Sequence, residues 1–353
     1  MIIGNFNGQV SGAFHYVVTS TGATVNILTL DGLVSGGQIT GGRLFRARAM
    51  LQLERCIYGV LLLLFISSGV AVAQGPGQPN TYRGNVWIDP DHSETSGTHY
   101  RLFPTPSRSP GTEASYLIYL PPDYCRPSAK RYPVLYWLHG GAGSQREGAW
   151  MVAKIDQQIR QGKLPPFIVV LVQGLPDVRY INSKDGTRPV EDVIIKDLVP
   201  HIDASYQTIS DRTGRAIEGM SMGGFGALRL GFKYPDMFGT VSALAPSITE
   251  MKDEPEFVTE PFGNDLAYYE EVGPWKIVKD HAAKIRGRTT VRLLVGDEDS
   301  LLPYVEKYSR LLTSLNIEHQ YSIIKAAHHR YDEIIENAPF DALGFWKAAF
   351  QTR

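Results

Sequence analysis

The sequence predicts an α/β protein whose mostly parallel central sheet carries helices on both faces. Its 353 residues are 43% hydrophobic and 20% charged, an ordinary composition for a soluble globular protein. Short continuous apolar runs recur from residue 115 to the C-terminus, and amphipathic stretches separate them. Strands buried on both faces are apolar throughout, so this alternation is typical of a parallel sheet covered by helices.

The elements follow one another in a regular order. The predicted strands are apolar runs at residues 115–120, 134–138, 167–172, 216–218, 241–244, 291–295 and 321–324. The predicted helices have apolar residues at helical spacing and occupy residues 150–161, 193–202, 222–234, 305–315 and 345–350. Two prolines, Pro121 and Pro122, end the first strand.

Residues 247–290 interrupt this rhythm with charged residues, prolines and five aromatic residues. The aromatic residues are Phe257, Phe262, Tyr268, Tyr269 and Trp275. We expect an insertion over the carboxyl edge of the sheet, where open α/β sheets bind ligands. Its aromatic side chains either offer an apolar surface to an acyl group or pack the insertion onto the sheet.

The N-terminal region carries the pattern of an export signal. Residues 56–66 are apolar, several arginines precede them, and Ala71-Val72-Ala73 follows. A basic stretch, a short apolar core and an A-x-A site predict a signal peptide at residues 50–73, cleaved after Ala73. An uncleaved membrane anchor is the alternative, although the run is short for a spanning helix. Cleavage predicts a secreted or periplasmic protein that does not contact the membrane afterwards.

This signal fixes the expected domain boundaries. Residues 1–49 precede Met50 and are interpreted either as a misassigned translation start or as a poorly ordered extension. Residues 74–99 form a leader that begins at Gln74, and residues 100–353 form the catalytic domain. That length suits a single α/β domain.

Charge and cysteine content exclude several classes of partner. The net charge of −1 gives no electrostatic reason to expect a nucleic acid partner. The only cysteines, Cys56 and Cys125, cannot build a disulfide framework or a cysteine-based zinc site. Asp89, Asp91 and Glu94 do not match the spacing of a calcium loop, so we expect a solvated turn and no metal site. The sequence does not indicate an oligomeric state.

The chemical signal is the G-x-S-x-G pattern of residues 219–223. It follows a short strand and opens a helix, which is the context of a nucleophile elbow with Ser221 as the nucleophile. The glycines leave room for the tight turn, and the helix N-terminus directs free N–H groups toward the attacked carbonyl. The alternative is a glycine-rich turn with an idle serine.

A serine hydroxyl needs a base, which in this class follows an acid along the chain. His328 and His329 come just after the final strand, where the base belongs, whereas His281 and His319 suit the protein surface. The acid is expected in the loop Asp297-Glu298-Asp299, whose three carboxylates leave the choice open.

An oxyanion hole needs two N–H donors. We expect one from Met222, directly after the nucleophile, and the other from the glycine-rich loop at residues 139–143, with Gly141 as the candidate. A phosphate-binding loop is the competing interpretation, but this segment lacks both the G-K-[ST] ending and the G-x-G-x-x-G spacing.

Several motifs in order resemble one known family. They are YLPPDY at 119–124, RYPVLYWLHGGAG at 131–143, DLVPHID at 197–203, the long motif around Ser221 at 211–238, and the C-terminal GDED and AAHHRY. These residues resemble the esterase D-like esterases, which include feruloyl esterases, acetylxylan esterases, S-formylglutathione hydrolases and mycolyltransferases. The resemblance spans residues 100–350 and implies an α/β-hydrolase fold and a Ser-His-acid triad without a cofactor.

The resemblance also selects among the candidate residues. A G-x-x-D turn matches Asp299 as the acid and leaves Asp297 as the alternate, while a histidine followed by one residue and an aromatic matches His329 and leaves His328. The sequence departs from the family pattern where Ala326 and Ala327 stand in place of a glycine before the histidine.

The leading functional hypothesis is an exported serine esterase that acts on a small-molecule or carbohydrate ester. The resemblance favours an acylated cell-wall sugar with a feruloyl or acetyl group. An acyltransferase that passes the acyl group to a sugar hydroxyl would use the same triad. A hydrolase-fold binding protein without activity is the third hypothesis.

Overall fold

The computed structural model describes residues 2–6, 14–21, 24–29, 86–94, 97–124, 130–250 and 260–351. The chain divides into two units, Met1–Gln78 and Pro79–Arg353. In the first unit three strands, Ile2–Phe6, Phe14–Thr21 and Thr24–Thr29, form an antiparallel sheet. They fall within residues 1–49, which precede the expected signal peptide. The expected signal peptide at residues 50–73 and the first part of the leader lie outside the described residues.

The second unit is built on an eight-stranded sheet. Its strands are β1 (Thr98–Pro104), β2 (Glu113–Tyr119), β3 (Val134–Leu138), β4 (Ile168–Val172), β5 (Arg215–Met220), β6 (Thr240–Leu244), β7 (Thr290–Gly296) and β8 (Gln320–Ile324). Their order is β8-β7-β6-β5-β3-β4-β2-β1. The strands from β3 to β8 pair in parallel, whereas β2 runs antiparallel to both of its neighbours. The predicted mostly parallel sheet is confirmed.

The central strands could be predicted from the sequence because they are buried on both faces and are therefore mainly apolar. All residues of β3, β4, β5 and β6 are buried, which is what a continuous apolar run predicts. The strand β1 was missed because it lies at the sheet edge, and its mixed burial leaves neither a continuous apolar run nor a regular alternation in the sequence.

Eight α-helical segments and three short 3-10 turns (Gln145–Gly148, Arg212–Gly214 and Glu260–Phe262) accompany this sheet within the described part of the unit. The α-helical segments are α1 (Ala149–Arg160), α2 (Val190–Asp192, continued by a π-helical turn at Val193–Leu198 and by Val199–Ser205), α3 (Met222–Lys233), α4 (Leu266–Val272), α5 (Pro274–Ile285), α6 (Leu302–Ser314), α7 (Tyr331–Glu336) and α8 (Phe345–Gln351).

Helices cover both faces of the sheet. Gly231 of α3 packs closely against Ile217 and Val241, which lie side by side on β5 and β6. In β7 the residue paired with Val241 is Val291. The next residue, Arg292, points to the other face, where its guanidinium lies 4.0 Å from the ring centre of Phe345 in α8. Successive side chains of a strand point to opposite faces, so α3 and α8 lie on opposite sides.

Part of the expected leader packs against the sheet. Trp87 is buried, and its carbonyl accepts the N–H of Ser115 in β2 at 2.9 Å. Asp89, expected in a solvated turn, is also buried and forms a 3.0 Å ion pair with Arg146. The expected solvated turn is therefore wrong at Asp89, because a cation from a distant loop neutralises this carboxylate inside the protein.

The insertion contributes α4 and α5, and its aromatic side chains pack onto the body of the unit. Phe262 and Tyr269 are buried with ring centres 4.9 Å apart, and the Tyr269 hydroxyl donates to the carbonyl of Thr249. The indole N–H of Trp275 donates to the carbonyl of Ile248, and the Tyr268 hydroxyl donates to a backbone carbonyl outside the insertion. Phe257 lies outside the described residues. Two rings of the body also lie beside the insertion: the Phe225 ring of α3 is 6.2 Å from that of Tyr269, and the Tyr308 ring of α6 is 4.9 Å from that of Trp275. The four described aromatic residues of the insertion therefore follow the packing interpretation.

A separate question is whether any segment could cross a membrane. Within the ranges that the structure describes, every helix is too short or too polar to do so.

Candidate active site

Ser221 occupies a sharp turn between β5 and α3. Its backbone has φ +59° and ψ −117°, a conformation that non-glycine residues rarely adopt. Two hydrogen bonds hold this turn against the chain around the end of β6: Ser221 N–H donates to the Leu244 carbonyl, and Ser247 N–H donates to the Ser221 carbonyl. The structure therefore places Ser221 in the strained strand–turn–helix geometry that the G-x-S-x-G pattern predicts.

The two glycines of that pattern are required by close backbone approach. A Cβ on Gly219 would lie 2.3 Å from the backbone of Gly223, and a Cβ on Gly223 would lie 2.0 Å from the carbonyl oxygen of Leu138. Neither partner is a flexible side chain that could move away. The glycines thus allow the elbow to fold tightly against the end of β3.

His329 lies between Ser221 and Asp299 in a continuous hydrogen-bonded chain. Its Nε2 is 2.8 Å from Ser221 Oγ, and its Nδ1 is 2.7 Å from Asp299 Oδ2. A carboxylate only accepts, so Nδ1 carries the proton and Nε2 is free to accept the serine hydroxyl proton. The Asp299 side chain is fully buried, whereas 40% of the His329 side chain is exposed.

Asp299 is positioned by the contact between the loops that follow β7 and β8. Asp297 N–H donates to the carbonyl of Ile324, and Glu298 N–H donates to the carbonyl of Ala327. A Cβ on Gly296 would lie 1.9 Å from the Ala327 oxygen, so this position also needs glycine. The loop that carries Asp299 and the loop that carries His329 are thereby packed directly against each other.

The departure from the family pattern at Ala326 has a visible consequence. Ala326 adopts φ +52°, a left-handed conformation that glycine adopts more easily than alanine. Its carbonyl accepts a 2.7 Å hydrogen bond from the side-chain amide of Asn337. The loop that carries His329 is thus held in a strained conformation without glycine.

The alternates, His328 and Asp297, are turned away from Ser221. His328 lies 2.9 Å from Glu298 and 3.0 Å from Glu333, and the hydrogen bond to Glu333 and both carboxylate charges raise its pKa above the usual value. Asp297 forms a 3.2 Å ion pair with the exposed Lys325. The structure therefore brings His329 and Asp299 to the nucleophile. The alternates His328 and Asp297 are not part of the hydrogen-bonded chain that joins Ser221, His329 and Asp299.

Both expected oxyanion donors lie close to Ser221, Met222 as its chain neighbour and Gly141 across the cavity. Met222 is the first residue of α3, and the N–H groups of a first helical turn have no partner within the helix. Gly141 lines the same cavity as Ser221. The neighbouring Gly140 N–H is already engaged, because it donates to Glu147 Oε2 at 3.1 Å.

The cavity beside Ser221 has a volume of about 310 Å³. Trp137 and Tyr331 give it aromatic walls, and Glu147 adds a carboxylate. None of the described aromatic residues of the insertion lines this cavity, so the expectation that they surround the acyl group is not met. Trp137 and Glu147 were not predicted as site residues. Trp137 was interpreted only as part of a buried apolar strand, and Glu147 follows the glycine-rich motif without belonging to it.

A buried polar network lies beneath this cavity and was also missed. Glu218 and Arg292 are completely buried and form a 2.7 Å ion pair, and Ser242 donates to the same carboxylate at 2.6 Å. The Tyr331 hydroxyl donates to Glu218 at 2.9 Å. Burial and the neighbouring Glu218 raise the pKa of Tyr331 well above its usual value, so this hydroxyl keeps its proton.

Glu218 therefore connects the chain segments that carry Ser221, His329 and Asp299. It lies three residues before Ser221, while Tyr331 lies two residues after His329. Arg292 belongs to β7, the strand that leads to Asp299. The signals in the sequence were the charged residues Glu218 and Arg292, each next to apolar residues within a predicted strand.

The ranges that the structure describes contain no group of three or more His, Cys, Asp or Glu side chains able to hold a metal ion.

Comparisons with known proteins point in one direction. A family model described as "Putative esterase" matches residues 107–351. Over 143 residues the chain is 36% identical to an endo-1,4-beta-xylanase/feruloyl esterase of Xylanibacter ruminicola, a match that covers 38% of this chain and 19% of that protein. Over 129 residues it is 39% identical to an esterase of Mycobacterium tuberculosis, covering 36% of this chain and 27% of that protein. The matches thus span about a fifth to a quarter of these curated relatives.

The structure is also similar to that of a ferulic acid esterase, with a TM-score of 0.61 and 22% sequence identity. The likeness covers 72% of this chain and 99% of the other. Together with the strand order, it confirms the expected α/β-hydrolase fold.

Proposed function

Because the chain belongs to the Putative esterase family, we propose that it is a serine esterase that hydrolyses carboxylic esters through an acyl-enzyme. The observation that carries this proposal is the hydrogen-bonded chain from Asp299 through His329 to Ser221, with distances of 2.7 and 2.8 Å. A serine hydroxyl is a weak nucleophile, and an oriented imidazole in this geometry is the base that activates it.

In the first half of the proposed reaction, Ser221 Oγ attacks the ester carbonyl carbon while His329 Nε2 takes the hydroxyl proton. Asp299 holds the Nδ1 proton and stabilises the imidazolium that forms. The backbone N–H groups of Met222 and Gly141 bind the negative oxygen of the tetrahedral intermediate. The bond to the alcohol oxygen then breaks, and His329 returns its proton to the leaving alcohol.

In the second half, a water molecule repeats the attack on the acyl-enzyme. His329 takes a proton from the water, and the tetrahedral intermediate forms again at the same place. Its collapse releases the carboxylic acid and returns the proton to Ser221. Every step uses groups of this chain and needs no cofactor.

The proposed substrates are acylated carbohydrates with a feruloyl or acetyl group. The relative from Xylanibacter ruminicola, whose name includes feruloyl esterase, supports this class. Trp137 and Tyr331 support it as well, because aromatic walls suit a flat phenolic ring. A cavity of about 310 Å³ favours short or compact acyl groups over long lipid chains.

The test is an ester panel run on purified protein that begins at Gln74. We expect faster hydrolysis of methyl ferulate or acetylated xylan than of esters with acyl chains of 12 or more carbons. The highest kcat/KM on the long-chain esters, without release of ferulate or acetate, would contradict the substrate class. Adding a sugar acceptor tests the acyltransferase hypothesis, which predicts an acylated sugar in place of the free acid.

Export is part of the same proposal. Residues 50–73 are proposed to be a signal peptide, so the protein expressed with its own leader should reach the medium or periplasm. N-terminal sequencing of the exported form is then expected to begin at Gln74. Active exported protein that still carries residues 1–49 would contradict this start and cleavage.

A further inference from the structure

The cavity beside Ser221 contains a carboxylate that ester hydrolysis does not use. Glu147 belongs to a 3-10 turn, Gln145–Gly148, that follows the glycine-rich loop. Its carboxylate lines the cavity together with Ser221 and His329. It also accepts the Gly140 N–H at 3.1 Å, so it is held in place at the loop that carries Gly141.

The glycine-rich loop is shaped around this carboxylate. A Cβ on Gly143 would lie 2.1 Å from Glu147 Oε1, so only glycine leaves the carboxylate in its observed position. A Cβ on Gly140 would lie 3.8 Å from Glu147 Oε2 and 3.8 Å from the Ser221 Cβ. Glu147 Oε2 and Ser221 Cβ are therefore separated by no more than about twice 3.8 Å. At this separation the negative charge of Glu147 is within reach of an ester bound at Ser221.

Glu147 has no ion-pair partner among the described residues. Its side chain is exposed, and no lysine, arginine or histidine of the described ranges forms an ion pair with it. The other carboxylates near the nucleophile differ in this respect, since Asp299 contacts His329 and Glu298 contacts His328. The negative charge of Glu147 is thus presented to whatever enters the cavity.

We propose that Glu147 is a specificity-determining residue that selects uncharged, hydroxyl-bearing esters and disfavours esters that carry a negative charge. A carboxylate accepts hydrogen bonds from the hydroxyl groups of a sugar and repels another carboxylate. This inference rests on the proposed esterase function and adds to it a filter against anionic acyl groups.

The experiment compares two esters that differ in charge and hardly in shape. They are 4-nitrophenyl hydrogen succinate, which is anionic, and 4-nitrophenyl 4-methylpentanoate, which is neutral. In Glu147→Gln the amide oxygen can still accept the Gly140 N–H, but the charge is lost. The ratio of kcat/KM for the anionic over the neutral ester should rise roughly sevenfold, the effect of two unit charges about 7 Å apart at an effective dielectric constant of about 40.

The matched control is Glu306→Gln, which removes a partly exposed charge on α6 that lies 3.8 Å from Arg310. It should leave the ratio unchanged. In the wild-type protein, raising the salt concentration from about 0.05 to 0.5 M should also raise the ratio, because salt screens the repulsion. This second measurement does not depend on the folding of any variant.

The contrary result is an unchanged ratio of kcat/KM for the anionic over the neutral ester in a folded Glu147→Gln protein that still hydrolyses the neutral ester. That result would overturn the proposed selectivity of Glu147 and leave the esterase proposal intact. A salt-independent ratio in the wild-type protein would also overturn it. If the wild-type protein hydrolyses neither ester and does not react with a fluorophosphonate, the esterase proposal fails and the filter fails with it.

Discussion

Replacing Glu218 by glutamine tests the buried network beneath the candidate active site. Both members of the Glu218–Arg292 pair have no exposed side-chain surface, and 2.7 Å separates their charged atoms. Glutamine keeps the volume of the side chain but removes its charge. Arg292 then remains buried, with the carbonyl of Ala342, the hydroxyl of Ser242 and an aromatic ring as neighbours.

The magnitude follows from this burial. Removing one partner of a buried ion pair typically costs about 3–5 kcal/mol, because the remaining charge has no counterion. For a unit of this size, about 1 kcal/mol shifts Tm by roughly 2–4 °C. We therefore expect Tm to fall by on the order of 10 °C. Activity should fall as well, because Tyr331 loses a charged acceptor two residues from His329.

Urea and thermal denaturation of the purified variant measure the loss directly. The control is Glu336→Gln, which removes an exposed ion pair with Lys154 and should change the free energy of unfolding by about 0–1 kcal/mol. The double variant Glu218→Gln/Arg292→Met removes the uncompensated cation and should recover much of the lost stability. A Glu218→Gln protein within 1 kcal/mol of wild type would refute this reasoning, since the ion pair would then contribute little.

Three other predictions address the proposed triad and its neighbours. Ser221→Ala should fold normally, resist fluorophosphonate labelling and lose on the order of 10⁶-fold in kcat; retention of more than a few per cent of the activity would exclude Ser221 as the nucleophile. His329→Ala and Asp299→Asn should each lower kcat far more than His328→Ala and Asp297→Asn do on the same ester, and the reverse order in either pair would reassign that role. His328 has a raised pKa, so the stability it contributes is complete below its unfolded pKa of about 6.5 and is lost as the pH rises through the folded pKa. Glu333→Gln should therefore lower the urea midpoint more near pH 6 than near pH 9, where only the 3.1 Å ion pair of Glu333 with Arg330 is still charged. An equal loss at both pH values would contradict the charge interaction with His328.

The elements that the sequence determined alone are those whose signal is local. Strands β3 and β4 are apolar along their whole length because both of their faces are covered. The elbow at Ser221 is equally local, since its glycines, the strand before it and the helix after it all lie within one short segment. Such features follow from neighbouring residues, so they can be predicted without knowledge of the rest of the fold.

Side chains brought together from distant segments were decided only by the tertiary structure. Glu218 and Arg292 are 74 positions apart and become partners because β5 and β7 both flank β6. Glu147 faces Ser221 because the loop after β3 meets the turn after β5. The aromatic residues of the insertion had two plausible environments. The structure buries Phe262 and Tyr269 and partly buries Tyr268 and Trp275, all of them away from the cavity beside Ser221. Burial and pairing depend on long-range packing, which local pattern and residue type do not specify.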